Sequence, residues 1–377
     1  MRVLHLCAGK LYGGIETFLT MLARRSDLCA SLEHHFAICF EGRLSHQISA
    51  CGAPNHPLGQ VRSSRPWTVL RVRKRLQGIL RGKFDVVVTH GSWPHAVFGA
   101  TVRRARLPLV FYLHGPIQRL SWLDRWASWT RPDRVIAVSQ DTAHSGRLIF
   151  PGVRTEVLNY ALPWTMPLSD PAKRARLRRE LGVTQSQTAI IQVSRMDLWK
   201  GHRIHLSAME KLPKDADWRC WIVGGAQRPI EQRLCDELHA RVAKSGLGER
   251  VKFLGERNDI GNLLEAADIY CQPNTGPEGF SLAFMEACAS GLPVVTSRLG
   301  GAPELIDESC GVLIAPGDVD GLATALTKLI ANRELRQRLG ENARRRVHSL
   351  CDPARQVSRL AAILESVVIQ RTTDIGR

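Results

Sequence analysis

No run of about 18 uninterrupted apolar residues occurs in this chain, which is the length a membrane-crossing helix needs, so none is expected. Paired cysteines are missing too: ten cysteines are scattered through the sequence and none forms a C-x-x-C pair. That spacing excludes a zinc ribbon or finger. Several of the cysteines lie inside apolar segments, as buried thiols do, which favours a reducing cytosol over a disulfide framework. The first residues run straight into an apolar stretch, VLHLC, without an h-region and cleavage site, so no leader is expected and the protein reads as cytoplasmic. Acidic residues are in short supply, 35 Asp and Glu against 52 Lys and Arg, for a net charge of +17. The surplus is open to several readings: nucleic acid, anionic lipid headgroups, a phosphorylated substrate, or an Arg-rich solvated surface. No Cys/His finger, RRM signature or recognition helix is present, so nucleic acid is not expected as a partner.

What is present is an alternation. Apolar segments at 3–9, 34–40, 84–90, 108–115, 133–139 and 155–160 read as strands, with helical segments near 66–80, 94–104 and 119–129. Strands alternating with helices argue a doubly wound parallel sheet. Pro163, Pro167 and Pro171 then disfavour helix and suggest an extended hinge. After it the pattern repeats, with strands at 189–195, 221–225, 251–256 and 268–273 and closing helices through 333–349 and 353–370. The length of 377 residues suits two domains of roughly 150–200 residues each. The expected division is 1–162, 163–352, and a C-terminal helix at 353–377 that crosses back to the first domain.

The second half is organised around EGFSLAFME, Glu278 to Glu286. It follows an apolar strand ending at Pro273 and precedes a helix stopped near Gly291. A strand, a glycine loop and a helix start make an anion site, with backbone N–H groups of Gly279, Phe280, Ser281 and Leu282 as donors. An acid beside a phosphate would repel it, so Glu278 and Glu286 make better sense gripping hydroxyls. A sugar nucleotide offers hydroxyls at both ends with a diphosphate between them. Upstream, Arg195 and Lys200 converge where a strand ends and a helix begins, which suits a diphosphate. Gly225 ends another strand, where backbone can face a nucleotide. In the first half, Gly13 and Gly14 let the backbone approach a ligand at a helix start, with Glu16 in the first turn. That loop is not G-x-G-x-x-G, and a glycine turn serving only packing is the lesser alternative. His114 and His90 each end a strand, where open α/β sheets place ligands.

E-x7-E with GF after the first Glu and GLPVV downstream resembles the donor-site signature of retaining glycosyltransferases of family four. S-R-x-x-x-x-K-G matches that family's diphosphate clamp, GGIE its first-domain loop, and YLHG its strand-end His element. Gly115 stands where many relatives carry Asp, and Asn159-Tyr160 departs from the usual Asn-Gly or Asn-Pro. The resemblance implies two Rossmann-like doubly wound parallel-sheet domains facing across a cleft, the GT-B architecture. It implies transfer of a sugar from a nucleotide-sugar donor, UDP or GDP, to a hydroxyl with retained configuration, assisted by the leaving phosphate and without metal or other cofactor. By resemblance, Arg195 and Lys200 hold the diphosphate, Glu278 the sugar hydroxyls, Glu286 the ribose, and His114 contacts the sugar near the reacting carbon. A glycan or lipid-linked acceptor in cell-envelope or exopolysaccharide synthesis is the expected partner. A sugar-nucleotide epimerase and a non-catalytic nucleotide-sugar-binding protein are the alternatives.

Three further features remain. Segment 65–83 is amphipathic, with Val69, Val72, Leu76, Ile79 and Leu80 on one face, and its basic face suits either water or peripheral contact with an anionic membrane. Trp122, Trp126 and Trp129 share a helical face that reads first as packed core. Asp318-Val319-Asp320 spells D-x-D, but its place before an apolar-periodic helix argues an N-cap rather than a metal site.

Overall fold

In the computed structural model, which describes residues 1–62, 64–162 and 170–375, the chain forms two compact units. Met1–Trp164 and Cys351–Arg377 make the first; Thr165–Leu350 make the second. Pro163 and Pro167, the centre of the expected hinge, lie outside the described residues.

The first unit runs β1 (Arg2–Cys7), α1 (Gly14–Arg24), β2 (Glu33–Ile38), α2 (Arg43–Ala50), β3 (Asn55–Pro57), α3 (Pro66–Leu80), β4 (Val86–His90), α4 (Ser92–Arg104), β5 (Leu109–Leu113), α5 (Trp122–Ser128), β6 (Arg134–Ala137), α6 (Gln140–Gly146) and β7 (Thr155–Val157). Its sheet is wholly parallel in the order β3-β2-β1-β4-β5-β6-β7. The strands are apolar on both faces because helices cover both. Val69, Val72, Leu76 and Leu80 of α3 are buried in that core, each contributing roughly 1.5–3 kcal/mol, while Ile79 is only half-buried. The tryptophans depart from the core reading. Trp126 packs on the core, but α5 is so short that Trp122 and Trp129 sit at its two ends, 64% and 81% exposed.

The second unit runs α7 (Pro171–Glu180), β8 (Thr188–Val193), α8 (His202–Met209), β9 (Trp218–Val223), α9 (Pro229–Lys244), β10 (Val251–Gly255), α10 (Ile260–Ala266), β11 (Ile269–Gln272), α11 (Leu282–Ala289), β12 (Val294–Ser297), α12 (Ala302–Leu305), β13 (Gly311–Ile314), α13 (Val319–Ala331) and α14 (Arg333–Cys351). Its parallel sheet has the order β10-β9-β8-β11-β12-β13, the same winding as the first. Pro171 begins a helix instead of forbidding one. It occupies the first helical position, where a missing N–H costs nothing, and the Asp170 side chain accepts from the Ala172 and Lys173 N–H groups. Asp318 caps α13, accepting from the Gly321 N–H at 2.8 Å, while Asp320 pairs with Lys211.

The last helix, α15 (Pro353–Ile375), belongs to the first unit. Val357, Leu360, Leu364 and Val367 bury its apolar face. The Arg134 guanidinium, 2% exposed, is held by Glu156 and by Gln370 of this helix. Among the described residues no helix is long and apolar enough to cross a membrane.

In each sheet the winding reverses once, between β1 and β4 and between β8 and β11. A doubly wound sheet opens a crevice at its carboxyl edge at such a point.

Candidate active site

In the second unit the reversal point gathers most of the residues singled out above. Beyond β8 the chain makes a tight loop, Ser194–Lys200, and turns into α8 through Gly201. Gly201 has φ +73°, and a Cβ there would stand 1.7 Å from the Pro273 carbonyl oxygen, so only glycine lets this loop lie against the one that follows β11. The Thr275 N–H donates to the Trp199 carbonyl and locks the two loops together. Buried side chains support the turn from beneath. The Gln192 amide donates to the Lys200 carbonyl at 3.0 Å and accepts from His205 Nδ1, while His202 Nε2 meets the Ser194 hydroxyl. Burial lowers both histidines to about 3, so they are neutral scaffold at pH 7.

Lys200 and Glu278 come together as an ion pair, Nζ to Oε1 2.7 Å, with Nζ also 4.1 Å above the Trp199 ring. The other Glu278 oxygen accepts from Asn274 Nδ2 at 3.0 Å and, more weakly, Gln272 Nε2 at 3.4 Å. Its backbone is held from the far side by the Gly300-Gly301 turn, where the Gly301 N–H donates to the Glu278 carbonyl. Gly300 fits there because a Cβ would lie 2.1 Å from that same carbonyl oxygen.

Arg195 pairs with Asp197, and Asp197, 2% exposed, also pairs with Arg228. Arg228 in turn meets Glu231 at 2.7 Å. Burial pushes Glu231 upward, yet the Gln227 N–H and Arg228 hold it below the ordinary carboxylate range. Gly225 faces Glu256 across the end of β9 and accepts from the Met196 N–H.

At the start of α11, the N–H groups of Gly279, Phe280, Ser281 and Leu282 donate to no acceptor among the described residues. They are the orphan donors of a helix start. One turn inside the same helix lies Glu286, 7% exposed, whose carboxylate takes no hydrogen bond among the described residues. Burial raises its pKa to about 8. A buried acid without a donor is costly unless something supplies one.

In the first unit, Gly13 precedes α1 in extended backbone, and its N–H donates to Glu16 Oε2 at 3.0 Å, the one half of a capping box that a glycine can make. Glu16 thereby shapes the glycine loop. His114 lies just past β5 with both ring nitrogens engaged, Nε2 to His90 at 2.8 Å and Nδ1 to the Tyr160 hydroxyl at 2.6 Å.

Residues 173–346 match the family described as Glycosyl transferases group 1, and residues 12–157 match Glycosyltransferase Family 4. The chain belongs to the group 1 glycosyl transferases. This transferase is similar to the N-acetyl-alpha-D-glucosaminyl L-malate synthase of Bacillus anthracis, 26% identical over 317 residues and 80% of each chain. It is also similar to the lipopolysaccharide core biosynthesis mannosyltransferase LpsB of Rhizobium meliloti, 28% identical over 242 residues, 63% of this chain and 67% of that one. Anabaena HepE, solved in complex with UDP, covers 97% of this chain with 100% of its own at 25% identity, with a TM-score of 0.84. Both units of the transferase have the Rossmann-like winding of the GT-B fold class.

Several residues that shape the transferase's site carry no motif signal of their own. Asp197 stands in sequence between Arg195 and Lys200 and pairs with Arg195 and Arg228, and Gln272 and Asn274, which flank Pro273, both donate to Glu278. Arg228 has no local signal; it reaches Asp197 from the loop after β9.

Proposed function

We propose that this transferase moves a sugar from a nucleotide-sugar donor, a UDP-sugar in the first instance, to a hydroxyl of a glycan or lipid-linked acceptor, with retention at the anomeric carbon. The observation that carries the reading is the convergence at one crevice of two cations, four N–H groups and a buried acid, the last two without a hydrogen-bond partner among the described residues. Lys200, Arg195 and the N–H groups of Gly279–Leu282 receive the diphosphate, whose negative charge grows as the bond to the sugar breaks. Glu278 exchanges part of its hold on Lys200 for the sugar hydroxyls. Glu286 accepts from the ribose, which supplies the donors its burial leaves missing. The complexes of HepE with UDP, and with UDP and glucose, support uracil as the base. In the first unit Glu16 shapes the Gly13-Gly14 loop, and His114, its nitrogens held by His90 and Tyr160, is the residue offered as a sugar contact on the resemblance alone.

Catalysis needs no metal in this reading, because Arg195, Lys200 and the helix start neutralise the diphosphate. A thermal-shift panel of UDP, GDP, ADP and TDP, each with and without EDTA, tests it. UDP at about 100 times its Kd should stabilise by roughly 2.7 kcal/mol in the presence of EDTA. Stabilisation that EDTA abolishes would refute the metal-free site, and silence from every nucleotide would refute the donor site.

The acceptor is proposed to be an intermediate of envelope or exopolysaccharide synthesis, used at the cytoplasmic face of a membrane. Trp67 and Leu70 of α3 are each 64% exposed among the arginines and lysines of segment 65–83, and Trp122 of α5 is 64% exposed as well. Indole rings beside cations suit an anionic headgroup layer. Co-sedimentation with phosphatidylglycerol vesicles but not phosphatidylcholine vesicles is expected, and equal partition between the two would refute peripheral docking.

A further inference from the structure

The loop Ser194–Lys200 carries both cations of the donor crevice, and its two halves have different supports. The Lys200 half is held by the Thr275 N–H on the Trp199 carbonyl and by the Gln192 amide on the Lys200 carbonyl. The Arg195 half leans on the loop after β9. There the Ser194 N–H donates to the Val223 carbonyl at 2.9 Å. Gly224, at φ +135°, brings the two loops so close that a Cβ on it would stand 1.8 Å from the Ser194 carbonyl oxygen. The next backbone bond, from the Met196 N–H to the Gly225 carbonyl, is already stretched to 3.4 Å.

Past that point side chains take over. Asp197 accepts from the Arg195 guanidinium on one carboxylate oxygen and from the Arg228 guanidinium on the other. Arg228 is itself fixed. It stands before Pro229, which confines it to extended backbone (φ −135°, ψ 152°) at the start of α9. Its Nε donates to Glu231 Oε1 at 2.7 Å, and Glu231 Oε2 accepts from the Gln227 N–H at 2.6 Å. The acids are the buried members of this row, Asp197 2% and Glu231 1% exposed. The guanidiniums are its accessible ones, with the Arg195 side chain 29% and the Arg228 side chain 46% exposed. Two cations against two acids leave the row neutral as a whole, so what it supplies is direction and not added charge.

We propose that Asp197 and Arg228 are positioning residues, which hold the Arg195 guanidinium ready for the donor diphosphate. The inference rests on the diphosphate role given to Arg195 above. Asp197 engages one terminal nitrogen of Arg195 from within the loop, which sets the plane and reach of the guanidinium. Arg228 grips the same carboxylate from the neighbouring loop and keeps it from following Arg195 toward a ligand. Glu231 in turn keeps Arg228 in place. An arginine already placed need not be ordered when the ligand arrives, which is worth about two- to tenfold in affinity for one long side chain. Placement matters further as the sugar departs, because a donor fixed beforehand meets the growing phosphate charge without rearranging.

Affinities of the whole chain for UDP and for uridine, measured at one salt concentration, test the brace. Uridine fills the same pocket but has no diphosphate for Arg195 to meet. Asp197→Asn keeps the shape and one accepting oxygen but turns an amide N–H toward a guanidinium. Arg228→Met keeps the stem and removes the fork, and at a half-exposed position it carries the test alone if Asp197→Asn does not fold. Each variant should weaken UDP about tenfold, the upper end of that ordering cost, and leave uridine within about twofold. Neither should weaken UDP further in an Arg195→Met background, since both act through that side chain. Tighter UDP binding by Asp197→Asn would show an acid that only masks Arg195, and would overturn the proposal. Unchanged UDP affinity, equal losses for UDP and uridine, or losses that persist in Arg195→Met would overturn it as well. Wild-type chain that binds UDP no better than uridine also overturns it, but as a failure of the diphosphate reading, told apart because no variant is needed to see it.

Discussion

Glu286→Gln separates burial from function at the donor site. Desolvation raises the Glu286 carboxyl from 4.5 to about 8. Between those values the folded chain keeps a proton that the unfolded chain has lost. The group's stabilising contribution is complete below pH 4.5 and drains away as pH rises to about 8. At about 1.4 kcal/mol per pKa unit, the total loss is roughly 4–5 kcal/mol, of which about 3 kcal/mol has gone by pH 7. Glutamine keeps the shape without the charge. Wild type and variant should therefore unfold at similar temperatures at pH 5 and diverge above it. The variant should be the more stable by several kcal/mol at pH 8–9, at roughly 2–4 °C per kcal/mol for a domain of this size. Thermal scans across pH read this directly, and parallel curves would refute the burial argument. If ribose hydroxyls donate to this carboxylate they favour its charged form, so UDP binding at pH 7 should expel up to one proton. Calorimetry in phosphate and in Tris gives the number released, and the same release from Glu286→Gln would refute the ribose contact.

Lys200→Ala should lower kcat/KM at least tenfold, because it removes a diphosphate cation and leaves Glu278 without its ion-pair partner; unchanged turnover in a steady-state assay would refute the clamp. Gly201→Ala has to place a Cβ against the Pro273 carbonyl at a left-handed φ, where the backbone term alone costs about 1–2 kcal/mol. A drop in Tm together with weaker UDP binding is expected, and a wild-type Tm would contradict the loop packing. Asp318→Ala loses the cap on the Gly321 N–H and should cost about 1 kcal/mol, read by denaturant unfolding. A neutral result there would mean the cap contributes nothing.

The winding of both sheets was legible because long apolar strands alternate with periodic helices. Short elements were not. α2 covers only eight residues and β3 only Asn55–Pro57, a strand that exists because Phe36 and Ile38 of β2 offer it a free edge. The donor loops could be read because Glu278, Glu286, Arg195 and Lys200 stand at fixed spacing around glycines. Their mutual arrangement could not. Nothing local says that Lys200 reaches Glu278 instead of standing apart from it, since the pairing depends on β8 and β11 being neighbours. The ring-to-ring contacts of His34, His5, His90 and His114 were hidden for the same reason. His5 inside VLHLC and His34 inside HHFAICF look like ordinary strand residues, and only the strand order β2-β1-β4-β5 lines them up. Trp122 and Trp129 were misjudged because shared helical spacing was taken for burial, whereas α5 ends before it can carry both inward.

The first unit is closed by the last part of the chain. The Leu162 N–H donates to the Cys351 carbonyl, Arg359 reaches the Val157 carbonyl, and Arg134 completes its bonding with Gln370. A ribosome adding roughly 5–20 residues per second has to finish the whole of Thr165–Leu350 before those partners exist. The half made first is therefore the half completed last. For something like 10–40 s the nascent sheet waits with the seat of α15 uncovered, and a short deletion at the carboxyl end should harm the amino-terminal half first.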